Sequence, residues 1–283
     1  MNYDFFHSLE NRTVKDLYWL LFKPKPLVSC PKPFDVPFFP EEIIKEWEPL
    51  SCKFFEQLDE HPQDIERFVQ RKKNYRLGFY AEALLSYFFQ SFNKTELILQ
   101  NFQIRDEKQT LGEIDFIVKY NERVFHIELA VKYYLLLPNG DPAVPENWIG
   151  PSRKDNLHKK LRKVQDNQLG HGEHQSVRKE VPSEFRDKIE SYFLFRGQFF
   201  KNDSNDTSDV ARNSLNYYFL NKIDLDQDMI ILQRPNWLSS IDSQKNQTES
   251  YSKQNTATFE RPQLVKIRNH KEIAFIVPEN WND

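Results

Sequence analysis

The sequence predicts an α/β protein whose core runs helix, three strands, helix, strand. Three observations predict it. Residues 64 to 92 carry a helical pattern that is apolar on most faces. Three strand-like runs follow with short connections: Thr95 to Gln103, Leu111 to Tyr120 and Arg123 to Leu137. A basic helix is then expected from Ser152 to about Gln168, with a further strand near Tyr192 to Phe195. Strands alternating with helices in this order imply a mixed central sheet flanked by helices.

The remaining elements follow along the chain. Residues 11 to 22 read as a short helix, with Thr13 as its cap and Asp16 in the place of a capping-box acid. Pro24, Pro26, Pro31, Pro33, Pro37 and Pro40 predict an extended stretch over the surface. A helix over 41 to 58 is punctuated by Pro62, and a loop rich in Pro, Gly, Asn and Asp covers 138 to 151. Strands are expected near Tyr217 to Leu220 and Met229 to Leu232, and a hairpin from Leu264 to Val277. Residues 201 to 214 and 239 to 260 are polar and read as flexible loops. The chain is thus expected to be one compact domain, 1 to 283. It has an N-terminal helical and Pro-rich extension (1 to 62), a core (63 to 200) and a β-rich C-terminal part (201 to 283).

Composition excludes several classes. With 283 residues and 39% hydrophobic content there is ample material for a core. The longest apolar runs, Leu17 to Phe22 and Tyr133 to Leu137, are far too short to cross a bilayer, and mean hydropathy is -0.72. No charged stretch followed by an apolar segment opens the chain, so neither a signal peptide nor a membrane partner is expected, and the location is expected to be cytoplasmic. Two cysteines, Cys30 and Cys52, exclude a disulfide framework and a four-cysteine zinc site. Only 7 glycines leave little room for a phosphate-cradling loop. The net charge of -3 gives no global nucleic-acid signature, so such a partner would need a local basic patch.

The segment from 111 to 135 carries the chemistry. Ile114, Phe116 and Val118 alternate with Glu113, Asp115 and Ile117, and Phe125, Ile127, Leu129 and Val131 alternate with His126, Glu128, Ala130 and Lys132. A hairpin turning at Asn121-Glu122 sets residue 115 opposite 128 and residue 116 opposite 127. A slip of one residue would mix the apolar and polar faces. Asp115 and Glu128 then have Cβ atoms about 5 Å apart. Two such charges repel by roughly 3 kcal/mol at an effective dielectric of about 20. A shared proton, a nearby Lys or Arg, or a divalent cation can offset this, and carboxylates with waters suit Mg²⁺ or Mn²⁺. The plainer alternative is a solvated strand face neutralised by lysines.

Gly112-Glu113-x-Asp115, a turn, and an apolar strand bearing Glu128 and a lysine resemble the PD-(D/E)XK nuclease core, an α-β-β-β-α-β arrangement. The chain more closely resembles a bacterial domain-of-unknown-function family, number 1853, placed in that superfamily. The matching stretches are VKDLYWLL (14 to 21), RLGFYAEALL (76 to 85), GEIDFIV (112 to 118), HIELAVKYYL (126 to 135), GPSRKDNLHKKL (150 to 161), NQL (167 to 169) and NWL (236 to 238). The resemblance implies Asp115 and Glu128 as ligands of Mg²⁺ or Mn²⁺, and Lys132 as the residue that orients or deprotonates an attacking water or stabilises developing charge. The usual spacing is Glu-x-Lys, whereas Ala130 fills that slot here. Four strand residues span about 13 Å against about 6.6 Å for two, so Lys132 must reach back, a bulge must shorten the path, or Lys159 or Lys160 must substitute. The resemblance also implies Glu82 and Gln168 as supporting residues, with Glu113 on the Asp115 face.

Two basic stretches flank the hairpin in sequence: Arg67, Arg71, Lys72, Lys73 and Arg76, then Arg153, Lys154, Lys159, Lys160, Arg162 and Lys163. Of these, Arg71, Lys72, Lys160 and Lys163 are the candidates for contact with DNA or RNA phosphates. His126 reads as a structural histidine or a proton carrier, and His171-x-x-His174 as a loop pair with too few ligands for zinc. The leading expectation is metal-dependent phosphodiester hydrolysis. The alternatives are an inactive scaffold that binds nucleic acid or a protein, and an interaction module using the Pro-rich segment.

Overall fold

The computed structural model describes residues 1–71, 76–106, 109–202, 207, 209–219, 229–242, 260–267 and 272–281. Lys72 and Lys73, part of the polar segment 201 to 214 and most of the polar segment 239 to 260 lie outside these residues. The protein is mixed α/β with a mixed sheet. Its helices are α1 (Tyr3–Ser8), α2 (Arg12–Phe22), α3 (Glu41–Glu60), α4 (Gln63–Gln70), α5 (Leu77–Ser91), α6 (Leu157–Lys163) and α7 (Gln175–Glu180). Its strands are β1 (Thr95–Asp106), β2 (Gln109–Tyr120), β3 (Arg123–Leu136), β4 (Trp148–Ile149), β5 (Ile189–Lys201), β6 (Leu215–Phe219), β7 (Met229–Ile231), β8 (Gln263–Ile267) and β9 (Glu272–Val277). The chain groups into two compact units, each assembled from separate stretches: 1–24, 32–131 and 161–196 in the first, and 25–31, 132–160 and 197–283 in the second.

In the first unit β1, β2 and β3 form an antiparallel meander. The two-residue turn at Asn121-Glu122 is present, with Asn121 in the left-handed region at φ 52° that Asn tolerates better than most residues. Phe116 pairs with Ile127 and both are buried, Phe116 packing edge-on to Phe89 of α5 with ring centroids 5.5 Å apart. The opposite face is covered too. Ile117 and Val124 belong to a cluster closed by Val177, Val181 and Phe185. The sheet is therefore sandwiched, and the polar face of β3 is not the solvated face that its alternation suggests.

Several local expectations are corrected. Asn11, two residues earlier than the expected Thr13, caps α2: its side chain accepts from the Thr13 and Val14 backbone N–H groups. The pattern over 64 to 92 is two helices, because Arg76 is extended at φ -77° and ψ 136° and begins a new one. The basic helix starts at Leu157 rather than Ser152, since Arg153 adopts φ 60° and a helix cannot run through it; Asn156 caps the new start through the Lys159 N–H at 2.8 Å. It then widens into a π-helical turn over Val164–Gln168 and a 3-10 turn over Leu169–Glu173. The Pro-rich stretch is extended but not superficial. Phe34, Val36 and Phe39 are buried, and Phe38 bridges in parallel to Phe193.

The second unit pairs β5 with β6 and β6 with β9 in parallel, then β9 with β8 and β8 with β7 antiparallel. The expected hairpin of the C-terminal part is β8–β9. β4 adds to the end of β3 through Leu135–Ile149 and Leu136–Trp148.

Phenol-to-carboxylate bonds absorb several acids: Tyr18 to Glu48 (2.6 Å), Tyr80 to Asp16 (2.8 Å), Tyr120 to Glu46 (2.6 Å) and Tyr192 to Glu190 (2.9 Å) in the first unit. Arg196 is fully buried there and terminates α2, donating to the carbonyls of Leu20 (2.8 Å) and Leu21 (2.7 Å). A cation suits the negative end of a helix, and these carbonyls have no partner within the helix. Burial pulls the Arg196 guanidinium down to about 9, which leaves it charged at neutral pH. Arg196→Met strands both carbonyls, so it should cost about 2–4 kcal/mol in urea unfolding, and Arg196→Lys, which keeps the charge, should cost less.

Candidate functional site

The ladder between β2 and β3 ends at Phe116–Ile127, whereas β2 stays paired with β1 as far as Gln109. Beyond Phe116 the Asp115 side chain replaces the ladder: its Oδ2 accepts the Leu129 backbone N–H at 2.8 Å. Asp115 thus stands one step past the last pair, on the side where the register sets Glu128 opposite it.

Glu128 has 0% exposure, as does His126. His126 Nε2 lies 3.0 Å from Glu128 Oε1, and Gln168 Nε2 donates a short bond to Glu128 Oε2. The other ring nitrogen, Nδ1, lies 3.0 Å from Ser191 Oγ on β5. With Glu128 as carboxylate, the ring proton sits on Nε2 and Nδ1 accepts from the Ser191 hydroxyl. One directional chain results: Gln168 and His126 both donate to Glu128, and Ser191 donates to His126. Burial pushes the His126 imidazole down to about 4, against a weaker upward pull from the Asp115 charge and the Leu169 backbone. The His126–Glu128 contact is therefore a hydrogen bond to a neutral ring at neutral pH, although its distance alone would admit an ion pair.

The turns after α6 close this cluster. The π-helical turn brings Gln168 inward, and wide turns of this kind recur at functional sites. Gly172 comes so close that a Cβ there would lie 2.7 Å from Ser191 Oγ and 2.9 Å from His126 Nδ1. His171 packs on Gly112, where a Cβ would overlap its imidazole. The His171-x-x-His174 segment is thus built structure. His174 caps α7, its Nδ1 2.8 Å from Ser176 Oγ. Burial also lowers the His171 imidazole, with His126 and His174 adding to it.

The other candidates are placed as follows. Glu113 is exposed and pairs with Gln103, and Glu82 is half-buried on α5. In the second unit Lys132 gives its Nζ to Asp155 Oδ2 at 2.6 Å, and the Tyr134 hydroxyl approaches the same oxygen at 3.2 Å. Ala130 is buried in the first unit. Arg71 and Lys163 are exposed and Lys160 half-buried, while Lys72 lies outside the described residues. Among the described residues no group of three or more His, Cys, Asp or Glu is arranged to hold a metal ion. Ser191 and Gly172 carry no motif in the sequence; only the fold brings them to His126.

The His126 shift fixes a pH dependence. The unfolded chain, with a histidine near 6.5, takes up a proton between about 4 and 6.5 that the folded protein refuses. This contribution is intact above about 6.5 and is lost as pH falls toward 4, by up to about 3 kcal/mol. Urea unfolding of the metal-free protein from neutral pH to about 4 measures it, and His126→Asn should flatten the slope.

No curated protein and no solved structure gives a significant match to the chain. The family model described as Domain of unknown function (DUF1853) matches residues 15–274, a span that holds α5, the β1–β3 meander, the Glu128 cluster and most of the second unit, and the chain belongs to that family.

Proposed function

We propose that Asp115 and Glu128 hold a divalent cation for phosphodiester hydrolysis of DNA or RNA, in a core of the PD-(D/E)XK kind. The observation that carries this reading is the buried Glu128 carboxylate, oriented by Gln168 and His126 and set opposite Asp115 by the strand register. The residues fit such an ion in chemistry: both are hard oxygen donors, and an N–H bond to a carboxylate oxygen leaves that oxygen a second lone pair. Mg²⁺ and Mn²⁺ accept one or two carboxylates and complete their shells with water. When bound, the ion would polarise a phosphate oxygen and acidify a water.

The chain's own residues do the rest. His126 and Gln168 fix the Glu128 carboxylate, and the Leu129 N–H fixes Asp115. Lys132 is the candidate to orient the attacking water or stabilise the developing charge, its amine directed by Asp155. Arg71, Lys72, Lys160 and Lys163 supply phosphate contacts. A second reading, a scaffold that binds without cutting, is favoured by Ala130 in the usual lysine slot and by the Lys132–Asp155 pair.

Calorimetric Mn²⁺ titration, with cleavage assays on single- and double-stranded DNA and RNA, tests both. Asp115→Asn should weaken Mn²⁺ binding at least ~10-fold and remove cleavage. Lys132→Ala should spare metal binding and remove cleavage. Absence of Mn²⁺ binding at millimolar concentration sinks the metal reading. The scaffold reading requires that charge reversal at Arg71, Lys160 and Lys163 still lower nucleic-acid affinity.

A further inference from the structure

A cleft of about 430 Å³ opens between the outer end of β1 and α7, within the first unit. Its apolar wall is Phe102, half-buried against the Ile104–Val177–Phe185 cluster. Two cations from different elements, Arg105 of β1 and Lys179 of α7, reach the same space. Arg105 spends one nitrogen on Gln103 at 2.7 Å, and neither cation forms an ion pair with a described residue. Gln175 adds an exposed amide, whereas His174 and Ser176 are occupied with each other. Among the described residues of the lining Glu180 is the one acid, set against these two cations.

The combination selects its ligand. An aromatic face beside two cations suits a flat ring joined to an anion. The volume lies in the range of small-molecule sites, about 300–1,000 Å³. A base can enter only if it is unstacked, which duplex nucleic acid does not offer without distortion. The cleft also adjoins the Glu128 cluster in the fold. Ile104, next to Arg105, pairs with Gly112, the residue that His171 covers, and His171 leads in three residues to His174 at the cleft. Gly112 lies three strand residues from Asp115, about 10 Å.

We propose that this cleft is a subsite for one nucleotide of single-stranded nucleic acid, its base on Phe102 and its phosphate between Arg105 and Lys179. This deepens the nucleolytic reading by naming the substrate as single-stranded. It rests on that reading only for the direction of the bound strand, not for binding itself.

Fluorescence anisotropy with a labelled oligothymidylate, without divalent metal and at several salt concentrations, tests it on the full chain. Phe102→Leu, which keeps an apolar side chain on the cluster, should weaken binding roughly 5-fold or more through loss of the stacking face. Arg105→Ala and Lys179→Ala should each lower the slope of log affinity against log salt by about 0.7. A duplex of equal length should bind less tightly and be insensitive to Phe102→Leu. The proposal is overturned if the wild type does not bind the oligonucleotide, or if binding ignores all three substitutions. It is equally overturned if inorganic phosphate competes as well as thymidine monophosphate, since the cleft would then read charge alone. Cleft-dependent binding without metal-dependent cleavage would retain the subsite and sink the nuclease. Cleavage without cleft dependence would do the reverse.

Discussion

A carboxylate with no exposure to water dictates the architecture around β3. Leaving Glu128 buried without partners would cost several kcal/mol, so each of its oxygens must meet a donor. One comes from its own strand, His126, two residues away on the same face. The other must come from outside the sheet, and Gln168 supplies it from the turn after α6. That turn can approach only because residue 172 has no side chain to strike Ser191 and His126. Burial of one group thus fixes a strand face, a wide helical turn, a glycine and a serine on the neighbouring strand.

The apolar faces make the same demand from the other direction. The β2–β3 pairing that buries Phe116 and Ile127 under α5 also commits His126 and Glu128 to the opposite face. Val177, Val181 and Phe185 cover that face nearby, and the segment carrying them is continuous with the turn that bears Gln168. The polar cluster and the apolar cluster are held by a single stretch of chain. Loosening either would expose both, so disturbance at the site should be felt as instability rather than confined to chemistry.

How much of this was legible in the sequence follows from range. The register and the turn at Asn121 could be read because strand alternation has period two and a slip would mix the faces. The burial of Glu128 could not, since a strand shows which residues share a face but not what covers it. Its cover comes from residues 164 to 185, whose Gly, His and Gln content reads as a helix end and a loop. Ser191 stands 63 positions after Glu128 without a motif, and only the fold brings it to His126. The division of the pattern over 64 to 92 escaped periodicity because both pieces are helical in pattern, while the extended Arg76 before Leu77 leaves no mark on the spacing of apolar residues. Cap choice failed similarly: Asn11 and Thr13 are both good caps, and although the helix start was read to within one residue the cap was placed two positions late.

The kind of donor that meets Glu128 differs from that at another buried acid of the chain. A buried acid kept only for stability is usually neutralised by Arg or Lys, as the fully buried Asp16 is approached by Arg12 at 3.6 Å elsewhere in this chain. Among the donors at Glu128 are an amide and an imidazole whose burial keeps it uncharged. Both orient the carboxylate, and Asp115, set opposite it by the register, accepts a backbone N–H on its own oxygen. Apolar residues of similar volume would often be no less stable than such a network. What the network secures that an apolar core would not is a carboxylate held in a fixed direction, which is the feature the proposed cation reading requires.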